Sequence, residues 1–344
     1  MPIFKTKKNQ YNPINERLKY EYRKHLLRIK RADKKTALAT CQHIREFEEL
    51  TSFQSFPKIT SDVVNQYVQN LSTSGVSLSY LGHNIRTLNL FFSWIQGEPE
   101  YRNKIEPHLA DYFSLSHNQR RMATAPNYRE SYERSDIEKV IEQMPTKTLV
   151  QRRNKALITL QYLCGLRISE LRTIPIGNIK YHKESQNYMV YVDPKVMNVK
   201  FAKTRCAFFM PFGEKYFQIV LDWKAELEKL GFSSRDPIFP TIPSHFNQLN
   251  LLEEKPKKVF IKSNSTLRDI FKEAFDGVGL PYYCPHTFRH MIARWAERQT
   301  PAIFNAVRHS LGHSDIKTTF ISYGTLPDAV VGKTLKEYQE KESI

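Results

Sequence analysis

Three groups that can bind or protonate a phosphate precede one phenolic hydroxyl near the C-terminal end of the chain. They are His286 and Arg289 in His286-Thr287-Phe288-Arg289, and His313 in Leu311-Gly312-His313; the hydroxyl is that of Tyr323. A second arginine, Arg167, stands far upstream in Gly165-Leu166-Arg167-Ile168-Ser169-Glu170-Leu171. The forked donors of arginine match phosphate oxygens. A tyrosine hydroxyl can act as a covalent nucleophile. Free tyrosine titrates near about 10, so such a nucleophile needs cationic surroundings. Read as one site, these residues would let a tyrosine attack a phosphate ester.

Each piece has a plainer reading beside it. His286 and Arg289, three apart after Pro285, share one face of a helix start, and Phe288, Met291, Ile292 and Trp295 form the apolar face. A buried helix with a polar stripe explains that much. Gly312 has an adequate structural role as a left-handed cap after a helix whose inner face includes Ile303, Val307 and Leu311. The tripeptide is not specific by itself, because the chain also carries Leu81-Gly82-His83 in mid-helix. Only the second copy has a tyrosine ten residues on. Tyr323 is one of 18 tyrosines.

The elements that must position these residues follow from periodicity and punctuation. A helix starts near Pro13-Ile14-Asn15, after an arm of about a dozen residues. A second runs from Lys34 to Leu50, with Leu38, Cys41, Ile44 and Phe47 inward. Thr60-Ser61-Asp62 caps a third, with Val63, Val64, Tyr67, Val68 and Leu71 inward, and Gly75 breaks it. A fourth, Ser77 to about Gln96, buries Leu78, Leu81, Ile85, Leu88, Phe92 and Ile95 as one stripe. Its other face carries Asn84, Arg86 and Asn89, which can enter a major groove or form an ordinary wet surface. A short fifth helix ends by Leu115. Residues 116–134 lack apolar periodicity and hold Arg120 and Arg121; they read as a basic linker able to follow a DNA backbone. Ser135 and Glu138 read as a capping box that restarts the structure. Helices follow over Arg152–Leu163 and Ser169–Ile174. Tyr188–Val192 and Ala207–Met210 read as paired strands. Helices return at Gly213–Leu230 and Ser265–Phe275, and residues 240–262 read as a loop insertion.

A chain of 344 residues can bury two cores. Its 52 Lys+Arg against 35 Asp+Glu give a net charge of +17. Such an excess suits a polyanionic partner, because phosphate neutralisation drives nucleic-acid binding. The charge alone would also suit a ribosomal or membrane-surface protein, but 12% aromatic residues and long periodic stretches exclude a disordered basic tail. The first 35 residues hold twelve Lys/Arg against Glu16, Glu21 and Asp33, a density that favours phosphate contact over a merely solvated face. Cys41, Cys164, Cys206 and Cys284 form no CxxC pair or zinc-spaced set and read as reduced, buried thiols. No apolar run approaches the roughly 18 residues of a membrane span, and Met1–Lys8 lacks the apolar core of a signal peptide. Cytoplasmic localisation, at the nucleoid when DNA-bound, is the expectation.

Over residues 130–325 the chain resembles the tyrosine recombinases, the phage-integrase family. The resemblance rests on five motifs in the family's order: Gly165-Leu166-Arg167-x-Ser169-Glu170-Leu171, a hairpin lysine, His286-x-x-Arg289-His290, Leu311-Gly312-His313, then Tyr323. It implies Arg167 and Arg289 on the scissile phosphate, stabilising the charge of a five-coordinate transition state. It implies His286 and His313 as the other phosphate-binding and proton-handling groups. Glu170 matches an acidic position that orients the site, with a simple i, i+3 ion pair as the alternative. His290 matches a supporting histidine. Lys203, eight residues before Pro211, matches the lysine that protonates the 5′ leaving oxygen. Lys200 and Lys195 compete for that role, because the glycine usual after the lysine is missing.

The resemblance further implies a mainly α fold with a small β-hairpin or sheet: a helical core-binding domain and an α+β catalytic domain forming a C-shaped DNA clamp. The boundaries expected are 1–115 for the DNA-binding domain, 116–134 for the linker and 135–324 for the catalytic domain. Residues 325–344 are expected as a tail helix docking on a neighbouring subunit, with folding onto its own domain as the alternative. The chemistry would proceed through a 3′-phosphotyrosyl bond without metal, ATP or other cofactor. Partners would be double-stranded DNA sites and further copies, a dimer on one site and a tetramer at synapsis. Two other function classes fit parts of the pattern: a type IB topoisomerase that relaxes DNA, and a DNA-binding protein of this fold without strand exchange.

Overall fold

A computed structural model of the chain describes residues 11–124, 130–246 and 252–312. The chain divides into two compact units, Met1–Ala125 and Pro126–Ile344.

The first unit is helical: α1 (Pro13–Arg28), α2 (Lys34–Leu50), α3 (Ser61–Thr73), α4 (Leu78–Gly97), α5 (Leu109–Tyr112) and α6 (His117–Thr124). Thr60, expected to cap α3, makes no side-chain cap there, whereas Asn12 and Ser77 accept backbone N–H bonds at the starts of α1 and α4. The core is aromatic. Phe47 meets Phe92 at 5.6 Å between ring centroids and Phe56 meets Phe91 at 5.2 Å, both edge-to-face, the arrangement ring quadrupoles favour. A buried polar knot lies beside it. Asn15 donates to Glu48 at 3.0 Å and accepts from the Phe56 amide at 2.8 Å, while Lys19 pairs with Glu48.

Four expectations for this unit are corrected. Leu38 is exposed, and Ala37 and Glu48 take its place inside α2. Asn84 is fully buried and accepts a bond from the Tyr67 hydroxyl at 2.9 Å, and Asn89 donates to the Ala110 carbonyl at 2.7 Å. Of the three polar residues assigned to a groove-facing surface of α4, Arg86 alone is exposed. The stretch read as linker is helical in its first half, where α6 packs on α4 and Gln119 donates to Ser72. Arg120 and Arg121 are exposed on it.

The second unit opens with α7 (Arg134–Gln143), α8 (Leu149–Cys164) and α9 (Ile168–Arg172). The capping box at α7 is two residues earlier than expected: Asp136 accepts from the Glu133 amide at 3.2 Å. Glu138, expected in that role, instead receives Arg134 at 2.9 Å and the Tyr162 hydroxyl. Every residue of α8 from Ala156 to Cys164 is buried, so this helix is the axis of the unit. A three-stranded antiparallel sheet follows: β1 (Ile179–His182), β2 (Asn187–Val192) and β3 (Arg205–Phe208), in that order across the sheet. β1 was not expected. β3 starts two residues before the expected Ala207 because Val192 pairs with Arg205.

After α10 (Glu214–Lys229), residues 240–262 are not a plain loop. They hold β4 (Pro240–Thr241) paired with β7 (Lys257–Phe260), and β5 (Ser244–Phe246) paired with β6 (Leu252–Glu254). The last helices among the described residues are α11 (Asn264–Asp276), α12 (Thr287–Glu297) and α13 (Pro301–Leu311). On α13 Ile303 is exposed, against expectation, while Val307, Ser310 and Leu311 are buried. Cys284 is exposed and Cys41 and Cys206 are half-buried, so Cys164 is the one cysteine buried as expected.

Candidate active site

The site is built where four helix ends and one strand meet around α8. Gly165 ends α8 in the left-handed region, φ +53°. A Cβ there would stand 2.8 Å from Ile292, 3.1 Å from Leu311 and 3.2 Å from Arg289, so both its conformation and the space require glycine. The chain then turns through buried Leu166 into α9, with Arg167 at its N-cap. Glu170 accepts from the Arg167 amide at 2.9 Å and from its Nη1 at 3.0 Å.

Glu170 is fully buried and has a second cationic partner, Arg205 at the start of β3. Arg205 grips it with both terminal nitrogens, at 2.9 and 2.7 Å. Burial pushes the Glu170 carboxyl up. The Arg205 fork and charge, with the amide and charge of Arg167, outweigh burial and hold it at about 2. A buried carboxylate without such partners would neutralise.

Arg289 on α12 is buried, and its two terminal nitrogens donate to backbone carbonyls from opposite sides. Nη1 takes the Gly165 carbonyl at the end of α8, and Nη2 takes the Leu311 carbonyl at the end of α13, the latter at 2.7 Å. The last carbonyls of a helix lack partners within it and carry its negative pole. A guanidinium between two such ends is favoured by both bonds and charge. The Arg205 Nε takes a further carbonyl of the last turn of α13, that of Ser310, at 3.1 Å. Ser310 in turn accepts from the Phe208 amide at 3.0 Å.

The contacts close into a circuit. Arg167 is joined to Glu170, Glu170 to Arg205, Arg205 to the end of α13, that end to Arg289, and Arg289 to Gly165, two residues before Arg167. Motifs more than a hundred residues apart in sequence are thus held in contact.

His286 is exposed at the N-cap of α12. His290, buried, meets its ring edge-on at 4.9 Å. The segment leading to His286 is fixed by Tyr132, whose hydroxyl donates to the Tyr283 carbonyl at 2.9 Å and accepts from the Tyr283 amide. Lys203 is exposed in the connection between β2 and β3, directly before β3; Lys195 and Lys200 are exposed in the same connection. His313 and Tyr323, and the expected tail at 325–344, lie outside the described residues, as does the arm before Tyr11.

Two residues of the site were missed in the sequence. Arg205 stands two residues after Lys203, but its ion pair with Glu170 spans 35 positions and has no local signature. Gln161 is fully buried in α8 and donates to the Leu166 carbonyl at 2.9 Å and the Pro285 carbonyl at 3.0 Å, bracing the approaches to Arg167 and His286. A lone amide inside an otherwise apolar stretch was the available signal.

Comparison with known proteins gives a family and a fold. The model of the phage integrase family matches residues 131–328. Among solved structures, XerH site-specific recombinase bound to difH substrate has a TM-score of 0.58 at 18% identity, covering 92% of this chain and 83% of its own. A lambda integrase tetramer bound to a Holliday junction has a TM-score of 0.61 at 14% identity, covering 91% and 79%. The Tn1549 transposon integrase (residues 82–397) in complex with circular intermediate DNA has a TM-score of 0.58 at 15% identity, covering 94% and 99%. The search of curated proteins found no match.

Proposed function

The chain belongs to the phage integrase family of tyrosine recombinases, and from that premise we propose the residues and steps by which it acts as a site-specific DNA recombinase. Arg167 and Arg289 bind the scissile phosphate. Tyr323 attacks phosphorus, a 3′-phosphotyrosyl bond forms, and Lys203 protonates the departing 5′ oxygen. His286 and His313 bind the phosphate and handle protons. The arginines stabilise the charge that builds on the five-coordinate phosphate. Phosphodiester energy is kept in the covalent bond, so a second 5′-hydroxyl can reverse the step without ATP.

The observation that supports this reading is the circuit through Glu170, Arg205 and Arg289. It holds the Arg167 turn, the His286 helix and the chain entering His313 against one another. Such fixed geometry is what charge stabilisation without reorganisation needs.

Residues 1–115, with α6 packed on α4, serve as the DNA-binding domain, the rest of 116–134 as the connection and 135–324 as the catalytic domain, with 325–344 docking on a neighbouring subunit. Double-stranded DNA sites are the substrate. A dimer forms on one site and a tetramer at synapsis; lambda integrase structures hold a dimer on a core site and a tetramer on a Holliday junction. None of the described helices is long and apolar enough to cross a membrane; the proposed place of action is the cytoplasm, at the nucleoid.

A duplex nicked beside the cleavage position, so that the freed fragment diffuses away, tests the reading. The full chain should become covalently attached to DNA and join strands between two duplexes, and Tyr323→Phe should bind without attaching. Attachment with relaxation of supercoils but no joining would indicate a topoisomerase. Absence of attachment would indicate a DNA-binding protein only.

A further inference from the structure

Resting on that reading, we propose that Arg205 is a positioning residue for the DNA-cleavage step, setting Arg167 through Glu170 and tying both to the end of α13. Three observations carry this.

First, Arg205 is sited to act on two parts of the site at once. Its terminal nitrogens hold both oxygens of Glu170, at 2.9 and 2.7 Å, and its Nε holds the Ser310 carbonyl at 3.1 Å. A planar guanidinium fixes the angle between these partners, which an ammonium cannot do.

Second, the carboxylate it holds is the one that orients Arg167. Glu170 contacts Arg167 through Nη1 and the backbone amide. With Arg205 supplying two bonds to the carboxylate, the Glu170–Arg167 side-chain link is a single bond from one nitrogen. The Arg167 side chain keeps 23% of its surface exposed. The Arg205 side chain is largely enclosed, at 8% exposed. The two arginines on one carboxylate therefore divide into one that faces outward and one that braces.

Third, the brace is fitted to Gly312. A Cβ at Gly312 would stand 2.7 Å from Arg205 Cδ and 3.1 Å from its Nε. The side chain thus lies directly against the turn that leads to His313, and a shift of either end moves the other.

The test is the rate of covalent attachment to the nicked duplex, measured with DNA affinity and thermal melting on the full chain. Arg205→Lys keeps a positive charge beside Glu170 and so preserves folding. It should slow attachment about tenfold or more, as small misplacements of reacting groups do, with DNA affinity within about twofold. Arg205→Met and Glu170→Gln should each slow attachment, and the double variant should lose no more than the worse single one, because both act through one link. If Arg205→Met fails to fold, Glu170→Gln in the Arg205→Lys background supplies the same comparison. Attachment by Arg205→Lys at the unaltered rate overturns the proposal, as do losses that multiply in the double variant. Tyr323→Phe separates this failure from failure of the functional reading: attachment that survives it removes the nucleophile, whereas attachment lost in Tyr323→Phe but unaltered in Arg205→Lys removes only the role of Arg205.

Discussion

The chain contains Leu-Gly-His twice, and the two copies differ in everything but sequence. Leu81-Gly82-His83 lies inside α4, where Gly82 is helical and a Cβ there would meet only Leu115, at an ordinary 3.7 Å. His83 is exposed, edge-on to His43 at 5.2 Å. The second copy begins at the last residue of α13. Gly312 has φ +74° and no room for a side chain, and the open carbonyls beside it are taken by Arg205 and Arg289. A helix interior satisfies its own backbone; a helix end must find donors elsewhere. The tripeptide acquires a site only where its carbonyls are left to be claimed by arginines from other parts of the chain.

The largest expected effect removes that claim. Arg289→Lys should lower the rate of covalent attachment by about 10²–10³, as loss of one charge-stabilising donor group does elsewhere. It should also lower the melting temperature, because a Lys cannot serve both helix ends. Next, His313→Ala should reduce attachment by about 10², within the usual range for a proton-handling group, while His83→Ala should leave it within about twofold. Equal losses from the two would erase the distinction. Gly312→Ala should destabilise the fold by about 1–3 kcal/mol, from left-handed strain and the collision with Arg205, and slow attachment. A chemical denaturation curve beside the attachment assay measures both.

A smaller effect concerns acid. The Glu170 carboxyl, held at about 2 in the folded chain, lies below its ordinary value of 4.5. Its contribution to stability is therefore complete above about pH 4.5 and is lost as pH falls through about 2. The difference in melting temperature between the unaltered chain and Glu170→Gln should be constant from pH 7 to 5 and shrink below that. A difference that changes near neutral pH would contradict the assignment. Smallest of all, Gly82→Ala should stabilise by about 0.5–1 kcal/mol, the helical preference of alanine over glycine, with attachment unchanged.

What sequence made legible follows the range of the forces involved. Helices fixed by local periodicity and caps emerged with their ends: Lys34–Leu50 matches α2, and Gly312 caps where expected. Asn84 shows a misreading that the same periodicity could have prevented. It lies three after Leu81 and four before Leu88, squarely on the buried stripe, so a polar side chain there had to find an internal partner. At α7 two acid-bearing registers competed, and Glu138 was drawn away from capping by Arg134 and Tyr162, the latter 24 positions on. β4 to β7 are two to four residues long, too short to show alternation. The motifs of the site were legible as residue types, because their chemistry is local. The Arg205–Glu170 pair and the double capping by Arg289 were not, because they exist only after distant helix ends have been brought together.

Tyr132 has a mechanical consequence. It lies near the start of the second unit, seven residues after Ala125, and its hydroxyl engages both backbone groups of Tyr283, three positions before His286. Its ring is stacked on Phe275 at 4.2 Å and set edge-on to Phe288 at 5.4 Å. A tug on the polypeptide at this point is thus delivered, through one phenol acting as a rivet, to the threshold of α12 rather than dissipated along the intervening chain.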